Sequence, residues 1–198
     1  MAVKLYIQRH GLPCFADSVK RYVGRTDLPL SPEGMAQAEQ GAARLMDRGI
    51  GMAYTSPLSR CREFAEIIAD KLGLPAAIEL PGLLEINMGN WEYRPVGEIK
   101  DTRPEDYKAR GLDLAGFVPE GGESFRECQI RAVKTIGDIA AAGQDAVVIT
   151  HAGFIRSLLC YAENHDLNDL FYYDVPYGGI FMLDYGDELF KSIRVSRL

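Results

Sequence analysis

No apolar run in this sequence approaches the roughly 20 residues a helix needs to cross a bilayer, so a membrane protein is not expected. There is no apolar signal core ahead of a small-residue cleavage site either. Met1-Ala2-Val3-Lys4 leads straight into strand-like sequence, which predicts a cytoplasmic protein. The four cysteines, Cys14, Cys61, Cys128 and Cys160, stand far apart with no C-x-x-C pair. Neither a zinc cluster nor a disulfide scaffold follows from that spacing, and free thiols are expected. Basic residues are in deficit, 22 Lys and Arg against 28 Asp and Glu, for a net charge of −6. That argues against nucleic acid as a partner, because holding a phosphate backbone needs a basic surface. A small anionic substrate is not excluded, since a few arginines converging in a cleft reverse the local potential. The sequence also lacks a Walker loop, any carboxylate or histidine cluster at metal-ligand spacing, internal repeats and low-complexity tracts. What remains is 198 residues, 47% hydrophobic and 25% charged, the make-up of one soluble globular domain with a sizeable core.

Val3 to Gln8 reads as a buried first strand that ends on Arg9-His10-Gly11, where the backbone must turn. In open α/β sheets the carboxyl ends of strands are where ligands bind. An imidazole there can act as a nucleophile, and the guanidinium beside it can grip a phosphate with two parallel hydrogen bonds. The irregular stretch to Leu30, with Pro13, Gly24 and Pro29, reads as a loop able to wall a site. Ser31-Pro32-Glu33 then starts a helix expected to reach about Arg48, closed by Gly49. Met52 to Thr55 is a short apolar strand leading to a second start, Ser56-Pro57, and a helix over Leu58–Leu72 with Phe64, Ile67, Ile68 and Leu72 on one face. Arg60 falls in that helix's first turn, where a cation opposes the macrodipole; a bound anion would resolve the conflict. Arg62 is expected to face solvent.

A short strand is expected from Ala77 to Leu83, followed by Glu85 between apolar neighbours, where a carboxyl can keep its proton and act as a general acid. Tyr93 to Gly122, rich in charge, Pro and Gly, reads as an insertion capping the cleft, with one short helix near Glu105 to Arg110. Glu123-Ser124 opens a helix to about Ala142 whose Phe125, Ile130, Val133, Ile136 and Ile139 are expected in the core. Ala146 to Thr150 is a continuous apolar strand that runs into His151-Ala152-Gly153, ahead of a helix from Phe154 to about Ala162 whose first N–H groups could hold an anion. Gly179–Asp184 and Leu189–Val195 suggest a hairpin around Tyr185-Gly186-Asp187-Glu188, an edge that could pair with a second copy in a homodimer. His165, in a polar stretch, is expected to be exposed.

Each of these residues alone has a plain explanation: a solvated arginine, a histidine at a turn, a surface glutamate. Together, two histidines and two arginines at strand ends or helix starts, with one carboxyl in apolar surroundings, make a coherent set. They supply cations for the equatorial oxygens, a nucleophile and an acid for the leaving oxygen, the requirements of phosphoryl transfer.

At this point the sequence resembles the histidine phosphatase superfamily, the phosphoglycerate mutase-like proteins, along most of its length. Arg9-His10-Gly11 is similar to the family's signature, and residues 24–31 to its loop before the first helix. Ser56-Pro57-Leu58-Ser59-Arg60-Cys61 resembles the second-arginine motif, residues 84–92 the acid motif, Gly121-Gly122-Glu123-Ser124 the pre-helix segment and Thr150-His151-Ala152-Gly153 the second-histidine step. The resemblance implies an α/β three-layer sandwich with a mostly parallel central sheet, helices on both faces and one domain over residues 1–198. It implies that His10 accepts the phosphoryl group, that Arg9, Arg60, His151 and the backbone of Ala152 bind its oxygens, and that Glu85 protonates the leaving alcohol. It implies no metal and no cofactor, and a small phosphorylated metabolite as partner. To attack, His10 must be neutral, with its other ring nitrogen donating to a backbone carbonyl.

Two departures bear on substrate more than on chemistry. Leu12, Pro13, Cys14, Phe15 and Ala16 stand where many members carry Glu or Gln and then an Asn, and Ala152 replaces the usual Gly. Leu12, Cys14 and Phe15 suggest an apolar pocket rim, to which Arg25 and Trp91 are added. Length favours a phosphatase over a cofactor-dependent mutase; a phospho-ligand-binding regulatory protein is the remaining alternative, against which the complete catalytic set speaks.

Overall fold

The computed structural model describes residues 3–185 and 194–198. Strand β1 (Val3–Arg9) lies parallel to β4 (Ala146–Thr150), with Arg9 level with Thr150. On the far side of β4 runs β2 (Met52–Thr55), and beside it β3 (Ile78–Glu79), both parallel. β5 (Ile180–Tyr185) pairs with β1 antiparallel and β6 (Arg194–Arg197) with β5, giving a six-stranded sheet in the order β3-β2-β4-β1-β5-β6.

Alternation along the central strands makes three layers. Leu5 and Ile7 of β1, with Ala146 and Val148 of β4, face α5 (Phe125–Ala140) and α6 (Ala152–Ala162). Tyr6, Val147 and Ile149 point the other way, onto α1 (Pro32–Leu45) and α2 (Ser59–Leu72). Strands covered on both faces read as unbroken apolar runs, which is why β1 and β4 are so plain in the sequence. The three-layer α/β sandwich is therefore present.

Two of the three local start signals hold; at the third, Ser56 does not cap α2, which starts at Ser59 after Leu58 with no side-chain cap. Ser31 caps α1 by accepting from Gly34 N, and Ser124 forms a reciprocal capping box with Glu127, each contributing about 1 kcal/mol. Several boundaries differ from expectation. α1 stops at Leu45 rather than Arg48, because Met46 leaves the helix with ψ 140° and Asp47 follows with a left-handed φ of 60°. The strand expected over Ala77–Leu83 keeps only Ile78–Glu79; Pro81 cannot donate to a ladder and opens a 3-10 turn, Pro81–Leu83. α6 begins at Ala152, with His151 in the cap position, rather than at Phe154. Ile130 is not core but 66% exposed, because the buried stripe of α5 is Phe125, Cys128, Ala132, Ile136 and Ile139. His165 is half-buried rather than exposed, stacked on Tyr172 and bonded to Asp169. Residues 93–122 carry two helices, α3 (Val96–Thr102) and α4 (Pro104–Leu112), where one was expected. Ile99 of α3 and Ala115, just after α4, pack with Trp91 on Phe125, Cys128 and Cys160. β5 and β6 pair antiparallel, but with Asp184 level with Arg194 the described second strand is Arg194–Arg197 rather than Leu189–Val195; residues 186–193, which hold the expected connection and most of that strand, lie outside the described residues. All four cysteines are free, and three of them are buried. Among the described residues no helix is long and apolar enough to cross a membrane.

Candidate active site

β1 and β4 are adjacent and parallel, so His10 and His151, each one residue past its strand, emerge side by side. The His10 N–H donates to the Thr150 carbonyl at 3.0 Å, and the two rings meet edge to face with centroids 5.0 Å apart. Gly11 makes the turn after His10 against the start of α1: a Cβ there would fall inside the Gly34 backbone. The His10 Nδ1–H donates to the Gly11 carbonyl at 2.7 Å, which leaves Nε2 with a lone pair that accepts from Arg60 Nε at 3.2 Å. The ring tautomers follow from these partners.

Arg60 is 1% exposed. From the second position of α2 its guanidinium turns back into the site, donating to the Thr26 and Gly24 carbonyls at 2.8 Å each and to His151 Nδ1 at 3.3 Å. The conflict with the helix dipole is thus met by carbonyl oxygens and imidazole lone pairs. Arg62 is exposed, as expected. The His151 Nε2–H donates to Ser56 Oγ at 2.8 Å, a contact made because β2 is the other neighbour of β4. Arg9 donates from Nη1 to the Val175 carbonyl at 2.7 Å and lies over the Tyr177 ring, 3.6 Å from its centroid.

Glu85 is buried at the start of α6, where its carboxylate accepts from the N–H groups of Gly153, Phe154 and Ile86, each at 3.0 Å. The helix N–H groups expected to hold an anion therefore hold this one. The backbone around Glu85 is braced from outside: Arg131 donates to the Gly82 and Leu84 carbonyls and pairs with Glu123 at 2.8 Å, while Arg25 donates to the Glu85 carbonyl at 3.3 Å.

Burial, then the cations Arg60 and Arg9, hold His10 well below the usual histidine range; burial, then Arg60, do the same to His151. Both rings are therefore neutral at pH 7 in the folded chain. Each takes up a proton near 6.5 when unfolded and only at lower pH when folded, so the unfolded chain binds more protons in the window below about 6.5. Stability is fully present above that pH and is expected to fall with a slope approaching two protons as the pH drops, measurable by denaturant titration at pH 7.0, 6.0 and 5.5.

Glu92 is the keystone of the loop that holds Arg60. Its carboxylate accepts from the N–H groups of Gly24, Arg25, Thr26 and Met88 and from the Thr26 hydroxyl, at 2.7–3.2 Å. That fixes the Gly24 and Thr26 carbonyls on which Arg60 leans. Glu92→Gln puts two donors where one carboxylate oxygen accepts, so we expect roughly tenfold lower turnover on an aryl phosphate and a lower Tm, each unsatisfied N–H costing about 1–3 kcal/mol.

Beside the histidines opens a cavity of about 640 Å³, floored by Arg9, Glu85, Ala152 and Gly153 and walled by Phe15, Tyr22, Phe125, Phe171 and Tyr177, with Tyr107 and Arg110 of α4 above. Of the five rim residues expected, Phe15 alone lines it. Leu12 is held against α1 by Gln37 and Ser31, Cys14 is exposed beside Pro29, and Arg25 turns under Glu85. Trp91 is 1% exposed, packed between Tyr22 and Phe117. The lining is apolar as well as cationic: Val19, Val23, Ile86, Met88 and Val96 stand beside the rings, and Arg9, Arg110 and Arg156 among them. Ser56, Glu92, Arg110, Arg156 and Tyr177 were not picked out from the sequence. For Tyr177 the Pro176-Tyr177-Gly178-Gly179 turn before β5 was a usable signal; the others depend on contacts with distant residues.

Comparison with known proteins agrees with this geometry. The family model of the histidine phosphatase superfamily (branch 1) matches residues 5–197. The chain is 34% identical over 160 residues to phosphoglycerate mutase-like protein 4 of Arabidopsis thaliana, covering 78% of this chain and 69% of that protein. Its fold matches that of Bacillus stearothermophilus YhfR with a TM-score of 0.87 at 25% identity, covering 98% of this chain and 96% of that one. It matches the alpha-ribazole phosphatase from Shigella flexneri with a TM-score of 0.85 at 24% identity, over 99% and 96% of the two chains. With the family model running nearly end to end across the residues that build this cleft, the chain belongs to the histidine phosphatase superfamily.

Proposed function

We propose that this protein is a metal-independent phosphomonoesterase that acts on a small phosphorylated metabolite through a phosphohistidine. One observation carries the reading: His10 is held neutral, with Nδ1 tied to the Gly11 carbonyl and Nε2 presented beside Arg60. Nε2 attacks phosphorus in line, the P–O bond to the alcohol breaks, and Glu85, as general acid, delivers a proton to the departing oxygen. Water then attacks the phosphohistidine with Glu85 as base, releasing phosphate and restoring His10. Arg9 and Arg60 hold the equatorial oxygens, and Ala152 offers its backbone from the cavity floor. For His151 to donate to an oxygen, its proton moves from Nε2 to Nδ1 while the Ser56 hydroxyl turns from acceptor to donor, which a hydroxyl can do. The segment 93–122 covers the leaving-group side of one domain, and its Tyr107 and Arg110 face the cavity.

The test is turnover of phenyl phosphate with excess chelator. Phosphate released in step with phenol supports hydrolysis. Loss of turnover in chelator, restored by a divalent metal, overturns metal independence. Transfer of the phosphoryl group to an added phosphoglycerate, with little free phosphate, gives the reaction to the mutase named in the Arabidopsis relative.

A further inference from the structure

The protein carries a net charge of −6, yet the cavity beside the phosphoryl seat is lined by Arg9, Lys20, Arg21, Arg110 and Arg156 against only Asp17 and Glu85. Much of that charge is already committed. Arg21 is neutralised by Asp17 at 2.6 Å, Glu85 is held by three N–H groups, and Arg9 stands beside His10 for the phosphoryl group. Arg110 and Arg156 are surplus to it. Arg156, on α6, donates from Nε to the Tyr173 carbonyl at 3.0 Å and stacks on Phe171; Arg110, on α4, lies over Tyr22. Among the described residues neither makes an ion pair at contact distance, although Asp174 and Glu85 lie near enough to Arg156 to offset part of its burial. Arg156 is close enough to Arg9 and Glu85 for the three charges to influence one another, so it flanks the group that protonates the leaving oxygen. Burial penalises unpaired cations, and both arginines are shifted below the usual arginine range by it. A second anion from the substrate removes that cost.

We propose that the alcohol released by this enzyme carries an oxyanion of its own, a carboxylate or a second phosphoryl group, received between Arg110 and Arg156 in the aromatic-walled cavity. The proposal rests on the phosphomonoesterase reading and gives the leaving-group side its substrate class. The stacked planes of Tyr22 and Phe171 hold each guanidinium still without hydrogen-bonding its edge, which leaves N–H groups for the two-pronged grip that planar oxyanions favour.

Three matched esters test it: phenyl phosphate, 3-carboxyphenyl phosphate and 1,3-phenylene bisphosphate. The wild type is expected to favour at least one of the charged esters over phenyl phosphate by about tenfold or more in kcat/KM. Which charged ester gains tells carboxylate from phosphoryl. In Arg110→Ala/Arg156→Ala that preference collapses toward unity, whereas Arg156→Lys retains part of it, which a merely misfolded variant would not. Wild-type preference for phenyl phosphate, or a preference for the charged ester that survives the double variant, overturns the proposal. A product-side measurement works without turnover: 3-hydroxybenzoate should bind the wild type more tightly than phenol does by calorimetry, and the difference should vanish in the double variant. If no ester is hydrolysed yet 3-hydroxybenzoate still shows this dependence, the hydrolase reading fails while the anion subsite stands; equal binding of both products sinks the subsite.

Discussion

His10→Ala should lower kcat/KM for phenyl phosphate by roughly 10⁴-fold or more while leaving the chain folded. The expectation follows from the position of the ring: its Nδ1 is tied to the Gly11 carbonyl, and its Nε2 lone pair faces Arg60. His151 has Nδ1 turned to Arg60 and Nε2 to Ser56. Cys61, 3.5 Å from His151, is buried with its thiol pushed far up, which leaves it protonated and inert. Losses of this size accompany removal of a nucleophile that acts as part of a unit. Wild-type enzyme quenched in alkali during turnover should carry an acid-labile phosphoryl label that the variant lacks. The stability readout is independent of the chemistry: with one depressed histidine gone, the loss of stability below pH 6.5 should have about half the wild-type proton slope. Turnover within tenfold of wild type would remove His10 from the mechanism.

Arg60→Met should cost about 10³-fold in turnover and several degrees in Tm. Removing one preorganised donor to the developing charge typically costs 10²–10³-fold, and Arg60 supplies both charge and a fork. The fold suffers because the Gly24 and Thr26 carbonyls lose their partner, at roughly 1–3 kcal/mol for each group left dry. A third signature separates electrostatics from simple loosening. After burial, Arg60 is the largest cause holding both histidines low, so its loss lets their pKa values rise. Neutral His10 is then lost at a higher pH, and the acid limb of the rate profile should move up. If the rate falls but that limb stays in place, Arg60 is not tuning His10. Arg60→Lys should recover little, because an ammonium cannot reach two carbonyls and two imidazoles from one plane.

What was legible in the sequence was what short-range physics controls. β1 and β4 are apolar without interruption because both faces are buried, and the capped helix starts at Ser31 and Ser124 are satisfied by residues three positions away. Boundaries slipped where local backbone angles decided, as at Met46 and Asp47, or where two apolar registers competed, as on α5, where Ile130 lost to Cys128 and Ala132. Of the central site residues, Arg9, His10, Arg60 and His151 could be named because each marks the end of a strand or the start of a helix, and Glu85 because of its apolar neighbours; the structure brings all five together. The rim could not be read in the same way: side chains after Gly11 were assigned to the cavity by proximity in sequence, whereas Leu12 and Cys14 turn toward α1 and solvent.

The amino-acid sequence by itself therefore determined the α/β class, the strand-end histidines and the kind of chemistry they support, since all of these rest on residue type and local spacing. Only the tertiary structure decided which strands are neighbours, and with that the pairing of His10 with His151, the Ser56 contact, the Glu92 clamp, and the cavity shared by Tyr177, Arg110 and Arg156. Those depend on contacts between residues tens of positions or more apart, whose free energy is settled by how the layers pack rather than by any pattern along the chain.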